Sequence, residues 1–236
     1  ETASNSQGAL LQIIKQQTPH YRPFFMVNGI WVKSNADLME HLAKRSEVLC
    51  IAPNPIIENK LPSPILPSAT TKSANGIEWG ISRIKADLLW ANNIKGAGVV
   101  VGGQDTGYEW YHPAIQTQYR GDNGDHNYHW HDAIHGQLSN DTFNSCGYDV
   151  KYPCDDGSHG THTMGTIVGD DGQGNQIGVA PEADWIGCRN MENGFGTPTT
   201  YIECFEWFLA PTDSNGLQAN TSMAPHVIAN SWGCPP

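Results

Sequence analysis

Gly98-Val99-Val100-Val101-Gly102-Gly103-Gln104-Asp105-Thr106-Gly107 decides how this chain folds. The run from Gly98 to Gly103 is apolar, shorter than a typical helix and rich in β-branched residues, so it reads as a buried strand. Asp105 falls just past it. In sheets of parallel strands functional groups gather at the carboxyl ends, which puts Asp105 where chemistry is done. Taken alone, an Asp before Thr-Gly is more commonly a turn cap.

Outward from that strand the pattern alternates. Helical spacing covers residues 84–93, 161–168 and 201–209, and strand-like runs cover 184–188 and 226–231. Unbroken apolar strands separated by helices predict a parallel sheet covered on both faces. Upstream, Pro62, Pro64 and Pro67 with Ser63, Ser68 and Ser73 cannot continue a helix or a central strand and predict an extended linker. Before the linker, helical spacing at 8–17, a strand-like run at 24–32, a helix capped by Ser34 or Asn35 that runs to Lys44-Arg45, and a strand at 48–52 predict a small α-β-α-β unit. The expected division is 1–60, 61–75 as linker, and 76–236.

The chain has 236 residues and a net charge of −11, with 39% hydrophobic content. That is enough for a substantial core, and the acidic balance argues against nucleic acid or an anionic membrane surface as partner. No stretch approaches the roughly 20 apolar residues that span a bilayer. Residues 1–7 carry no signal-peptide pattern, although one could already have been removed. Of the six cysteines, Cys146 and Cys154 flank a short turn-rich segment and are plausible disulfide partners. Cys50, Cys188, Cys204 and Cys234 are scattered without a Cys-x-x-Cys pair, and a wholly reduced set stays open.

The second chemical feature is Ser158-His159-Gly160-Thr161-His162, opening a predicted helix. Gly160 allows close backbone approach there, and Thr161 can help satisfy free helix amides. With Gly103-Gln104-Asp105-Thr106-Gly107, His112-Pro113, Gly165-Thr166-Ile167, Asn175-Gln176-Ile177-Gly178-Val179-Ala180-Pro181 and Val227-Ile228-Ala229-Asn230-Ser231-Trp232-Gly233, it makes four motifs in one order. Together they resemble the subtilisin-like serine proteases, the subtilases, from about Trp79 to Gly233.

That resemblance implies a three-layer α/β fold around a parallel sheet, preceded by a small ferredoxin-like α+β propeptide. It implies a secreted endopeptidase in which Asp105 orients His159, and His159 is general base and then acid. Ser231, Trp232 and Gly233 are expected to line the specificity pocket and pair with peptide substrate. His112 and His162 are expected to be structural. The propeptide is expected to act as intramolecular inhibitor, its tail from Ile56 to Thr71 lying in the cleft until cleaved. No cofactor is required for the chemistry.

Asn220-Thr221-Ser222-Met223-Ala224-Pro225 mimics the family's serine motif. It has Asn220 where Gly is expected, lacks one residue before Pro225, and precedes the substrate-pairing strand. The catalytic serine and the oxyanion asparagine are therefore expected downstream of Pro236, with this stretch inactive alone. An inactive, subtilase-derived peptide-binding module is the alternative. His126, His129, His131 and His135, with Asp122, Asp125 and Asp132, could be imagined as a transition-metal hydrolase site, but their spacing fixes no ligand set and a polar surface insertion is expected. Structural calcium is possible by resemblance, at Asp155-Asp156 or Asp170-Asp171.

Overall fold

The computed structural model of the chain describes residues 2–60, 76–139 and 144–233. The expected linker at 61–75 and Cys234 lie outside the described residues.

The front unit contains α1 (Thr2–Gln17), β1 (Tyr21–Phe24), β2 (Gly29–Val32) and α2 (Ala36–Ala43). Leu10 and Ile14 of α1 and Leu38 and Leu42 of α2 face Tyr21, Ile30 and Val32, so two apolar helix stripes cover one antiparallel hairpin. Asn35 caps α2 by accepting from the Leu38 amide at 3.0 Å. At roughly 1.5–3 kcal/mol per buried aliphatic side chain, four such residues make a marginal core. Two expectations fail here. The run at 24–32 is not one strand but a turn at 25–28 followed by β2, with Asn28 at φ 46°. Residues 48–52 form no strand: Leu49 is 99% exposed and that run meets no sheet edge. The order is α-β-β-α.

The larger unit follows β3 (Ile57–Glu58) and β4 (Gly76–Ile77). α3 (Trp79–Ile84) and α4 (Ala86–Trp90) replace the single helix expected at 84–93, because Lys85 between them is left-handed, at φ 63°. Next come β5 (Val100–Asp105), β6 (Trp130–Asp132), α5 (His159–Val168), β7 (Asn175–Gln176), β8 (Asp184–Arg189), β9 (Met191–Glu192), β10 (Phe195–Gly196), α6 (Pro198–Leu209) and β11 (Val227–Asn230). The principal sheet runs β11-β5-β8-β6 with every pairing parallel.

Alternation along β5 explains the layers. Val101 packs with Met164 and Val168 of α5, together with Tyr108 and Trp185. Its neighbour Val100 packs on the other face with Trp207 and Phe208 of α6. Helices thus cover both faces, and the α/β architecture is the expected one. α6 starts at a capping box between Thr197 and Thr200 with Pro198 in its first turn. Its Cys204 is disulfide-bonded to Cys188 on β8, tying helix to sheet. The Cys146–Cys154 disulfide closes the segment before α5. Cys50 is a free, exposed thiol.

Candidate active site

Asp105 ends β5 and is 1% exposed. Its Oδ1 accepts from the Thr106 amide at 2.7 Å, and Thr163 donates to its Oδ2 at 3.3 Å. The same Oδ1 lies 2.7 Å from Nδ1 of His159, the first residue of α5. The hydrogen bond to Asp105 raises the His159 pKa above its usual value against the opposing pull of burial, and the charges of Asp105 and Asp155 add to the rise. Among the described residues nothing hydrogen-bonds Nε2 of His159. A buried carboxylate on one ring nitrogen, with the other ring nitrogen not engaged by any described residue, equips an imidazole to take a proton from a substrate or a nucleophile.

The closeness of β5 and α5 depends on Gly160. A Cβ there would stand 2.0 Å from the Gly107 carbonyl oxygen. The helix amides are satisfied from outside α5: Gly160 N donates to Thr106 Oγ1 at 3.0 Å and Thr161 N to Asp155 Oδ2 at 2.9 Å. Thr161 was expected to help satisfy those amides; Asp155 and Thr106 accept them instead.

Ser222 is far from this pair along the sheet. Val227 of β11 lies opposite Val101, and β5 runs four residues further to Asp105, about 13 Å at 3.3 Å per residue. Ser222 lies in a 3₁₀ turn on the other side of Val227, at the amino edge of the sheet. It is exposed, and its hydroxyl donates to Asn220 Oδ1 at 2.8 Å.

Ser231, Trp232 and Gly233 continue from β11 at the carboxyl edge, the same edge as Asp105. Ser231 is exposed. Trp232 stacks on Tyr201 with ring centroids 4.2 Å apart, and its Nε1 donates to the Gln104 carbonyl at 3.0 Å. Gly233 N donates to Asn59 Oδ1 at 3.3 Å. The antiparallel pairing to the front unit's tail is made elsewhere: Glu58 lies opposite Phe195 and Ile57 opposite Gly196, and Asn59 N donates to the Gly194 carbonyl at 2.8 Å. Sequence reasoning missed this β9–β10 hairpin, although Asn193-Gly194, with φ values of 49° and 84°, is a strong turn dipeptide.

The histidine-rich segment divides. His126 stacks on Tyr119, and His129 meets the Asp125 carbonyl. His131 and His135 both reach Glu203 Oε1, at 2.8 and 3.0 Å. Arg22 of the front hairpin is ion-paired to the same carboxylate. Among the described residues no group of three or more His, Cys, Asp or Glu side chains is disposed to hold a metal ion. The acidic pairs accept hydrogen bonds from within the protein. Asp155 already accepts four donors, and Asp170 and Asp171 each accept a backbone amide within their own turn. His112 and His162 are exposed, and His112 accepts the Ala114 amide.

Comparison with known proteins follows the same lines. The profile of the subtilase family matches residues 96–235. Bacillopeptidase F of Bacillus subtilis (strain 168) is 35% identical over 248 residues, which cover 98% of this chain and 16% of that protein. The major intracellular serine protease of Bacillus subtilis (strain 168) is 29% identical over 174 residues, or 73% of this chain and 46% of that protein. An extracellular serine protease of Serratia marcescens is 25% identical over 159 residues, 67% of this chain and 12% of the relative. The chain thus spans less than half the length of these relatives.

Proposed function

The chain belongs to the subtilase family, and on that premise we propose that Asp105 and His159 are the orienting carboxylate and the general base of a secreted serine endopeptidase. The nucleophilic serine lies outside residues 1–236. The observation that carries this reading is the 2.7 Å contact between His159 Nδ1 and Asp105 Oδ1 at the carboxyl edge of the sheet.

In the proposed reaction His159 Nε2 takes the serine proton as the hydroxyl attacks the scissile carbonyl. The resulting imidazolium keeps its Nδ1–H on Asp105 and then protonates the leaving amine, and water repeats the sequence on the acyl-enzyme. An imidazole whose pKa is raised favours the protonated form that this cycle passes through. No cofactor takes part. The peptide substrate lies along Phe195-Gly196 on one side and Ser231-Trp232-Gly233 on the other, as extended peptides do on sheet edges.

Residues 1–60 act as propeptide. Support comes from the tail itself: Ile57–Glu58 is paired with β10, and the Asn59 side chain donates to Tyr201 Oη at 3.0 Å and accepts from Gly233 N. A segment so held excludes a substrate from that edge and makes the front unit an intramolecular inhibitor. Secretion agrees with two disulfides, which persist in oxidising compartments, and with the extracellular relative.

The test is hydrolysis of an unfolded protein by the product of the complete gene. Turnover that falls at least about 10³-fold with His159→Ala supports the reading. Peptide binding without turnover in the unaltered protein would instead make it an inactive binding module.

A further inference from the structure

Asp155 and Asp156 stand just before α5, next to Cys154, and the reaction above gives neither a part. We infer that these adjacent carboxylates are positioning residues that bracket the site from two directions. Asp155 fixes the general-base helix to the end of β5, and Asp156 fixes the hairpin edge that receives extended peptide. The inference rests on Asp105 and His159 being the reacting pair.

Asp155 replaces a missing helix cap. Ser158, at the N-cap position, is left-handed at φ 57° and makes no side-chain cap hydrogen bond. Asp155 Oδ2 instead accepts from Thr161 N at 2.9 Å and Thr161 Oγ1 at 2.5 Å, while Oδ1 accepts from Thr106 Oγ1 at 2.7 Å and Gly157 N at 3.0 Å. Thr106 Oγ1 in turn accepts the Gly160 amide, and Thr161 Oγ1 accepts the Glu109 amide at 2.9 Å. Thr106 follows Asp105, and Gly160 and Thr161 follow His159. One carboxylate therefore holds the 2.7 Å contact from both sides, through Thr106 next to Asp105 and through Thr161 two residues beyond His159. A negative charge is also favourable at a helix N-terminus.

Asp156 turns the other way. Its side chain is fully buried, and Oδ1 accepts the Asn193 amide at 3.0 Å. Asn193 and Gly194 form the turn between β9 and β10, and the Gly194 carbonyl receives the Asn59 amide. Oδ2 is ion-paired with Arg189 Nη1 at 3.6 Å, too far for a hydrogen bond, and among the described residues neither atom has a hydrogen-bond partner. Arg189 spends its other nitrogens on Asp132 and the Gly147 carbonyl. Among the described residues the Asn193 amide is thus the hydrogen bond through which Asp156 acts.

The experiment needs no turnover. In the intact chain, NMR follows exchange of the His159 Nδ1 proton together with the His159 pKa, and hydrogen exchange follows the Asn59 amide. Asp155→Asn should speed Nδ1 exchange at least about tenfold and lower the His159 pKa, leaving Asn59 protection unchanged. Thr161→Val, which removes one donor, should do the same more weakly and serves if Asp155→Asn does not fold. Asp156→Ala should speed Asn59 exchange about tenfold without moving His159, and Asp156→Asn, which keeps Oδ1 as acceptor, should restore it. If His159 and Asn59 respond together in every variant, or neither responds, the bracket is wrong. Should this split appear while the complete gene product never hydrolyses peptide, the bracket stands and the catalytic assignment fails.

Discussion

Arg22, on the first strand of the front hairpin, is ion-paired to Glu203, an α6 carboxylate whose side chain is 8% exposed and also receives His131 and His135. Burial alone would raise the Glu203 pKa, but the hydrogen bonds from the two histidines and the Arg22 charge outweigh it and hold the group well below its usual value. A second contact lies one turn along α6, where Glu206 Oε1 accepts the Met26 amide at 2.7 Å. The front unit is thus docked through polar groups on the helix that also carries Tyr201, beside the tail.

Arg22→Ala should weaken this docking by about 1–2 kcal/mol. Arg22 is 38% exposed, so the full penalty of breaking a buried pair does not apply. A lower urea midpoint with an unchanged slope would agree. An unchanged midpoint would mean that the ion pair contributes nothing to holding the front unit.

The pH dependence has a definite sign. Burial pulls the His135 pKa down, yet the hydrogen bond and charge of Glu203 and the 2.5 Å contact with Asp149 raise it above 6.5. A raised histidine stabilises the fold fully below its free value and loses that contribution as pH rises through the native one. Melting temperature should therefore fall on going from pH 6 toward 8, and His135→Gln should flatten that slope. A slope identical in the variant would remove His135 as its source.

Asp156 works in the opposite chemical sense. Burial outweighs the Asn193 amide and Arg189 and pushes its carboxyl from 3.8 up to about 6. Ionising it in the fold costs stability as pH rises from about 4 to 6, so Asp156→Asn should gain stability relative to the parent across that window, by order of 1–3 kcal/mol at pH 7. Denaturation midpoints at pH 4 and pH 7 give the comparison, and a loss that grows with pH would contradict it.

Much of the sheet and the closeness of Asp105 to His159 were legible because the signals are local. β5 and β8 are built on short apolar runs, Val99 to Gly103 and Trp185 to Cys188, and Asp105 and His159 sit in short motifs with little freedom of spacing. The front hairpin was not, since Phe24 to Val32 is apolar almost throughout and hides the turn that ends at Asn28. Residues 48–52 misled in the same way: apolar composition does not make a strand without an edge to pair with. Glu203 escaped notice because its partners His131 and His135 lie 72 and 68 residues away. The Cys188–Cys204 disulfide likewise depends on α6 packing over β8.

That disulfide should be a main staple of the sheet. It closes a separation of 16 residues, for which loop entropy predicts about 3 kcal/mol. Replacing both cysteines by Ala should lower the melting temperature by about 6–12 °C, and a shift under 2 °C would show that helix packing alone holds α6.

Gly160→Ala should separate β5 from α5, because the added Cβ meets the Gly107 carbonyl at 2.0 Å. In the complete gene product kcat should fall by about 10²-fold or more, while substrate affinity, proposed to be set at β10 and Ser231-Trp232-Gly233, should change little. An unchanged kcat would mean that the Asp105–His159 separation is not critical.

The most direct measurement is labelling of the complete gene product with a serine-directed fluorophosphonate, followed by peptide mapping. Asp105 and His159 as the orienting and basic members of a triad predict one modified serine outside residues 1–236, and labelling lost in His159→Ala and strongly slowed in Asp105→Asn. Label on Ser222, or labelling indifferent to His159, would contradict that assignment.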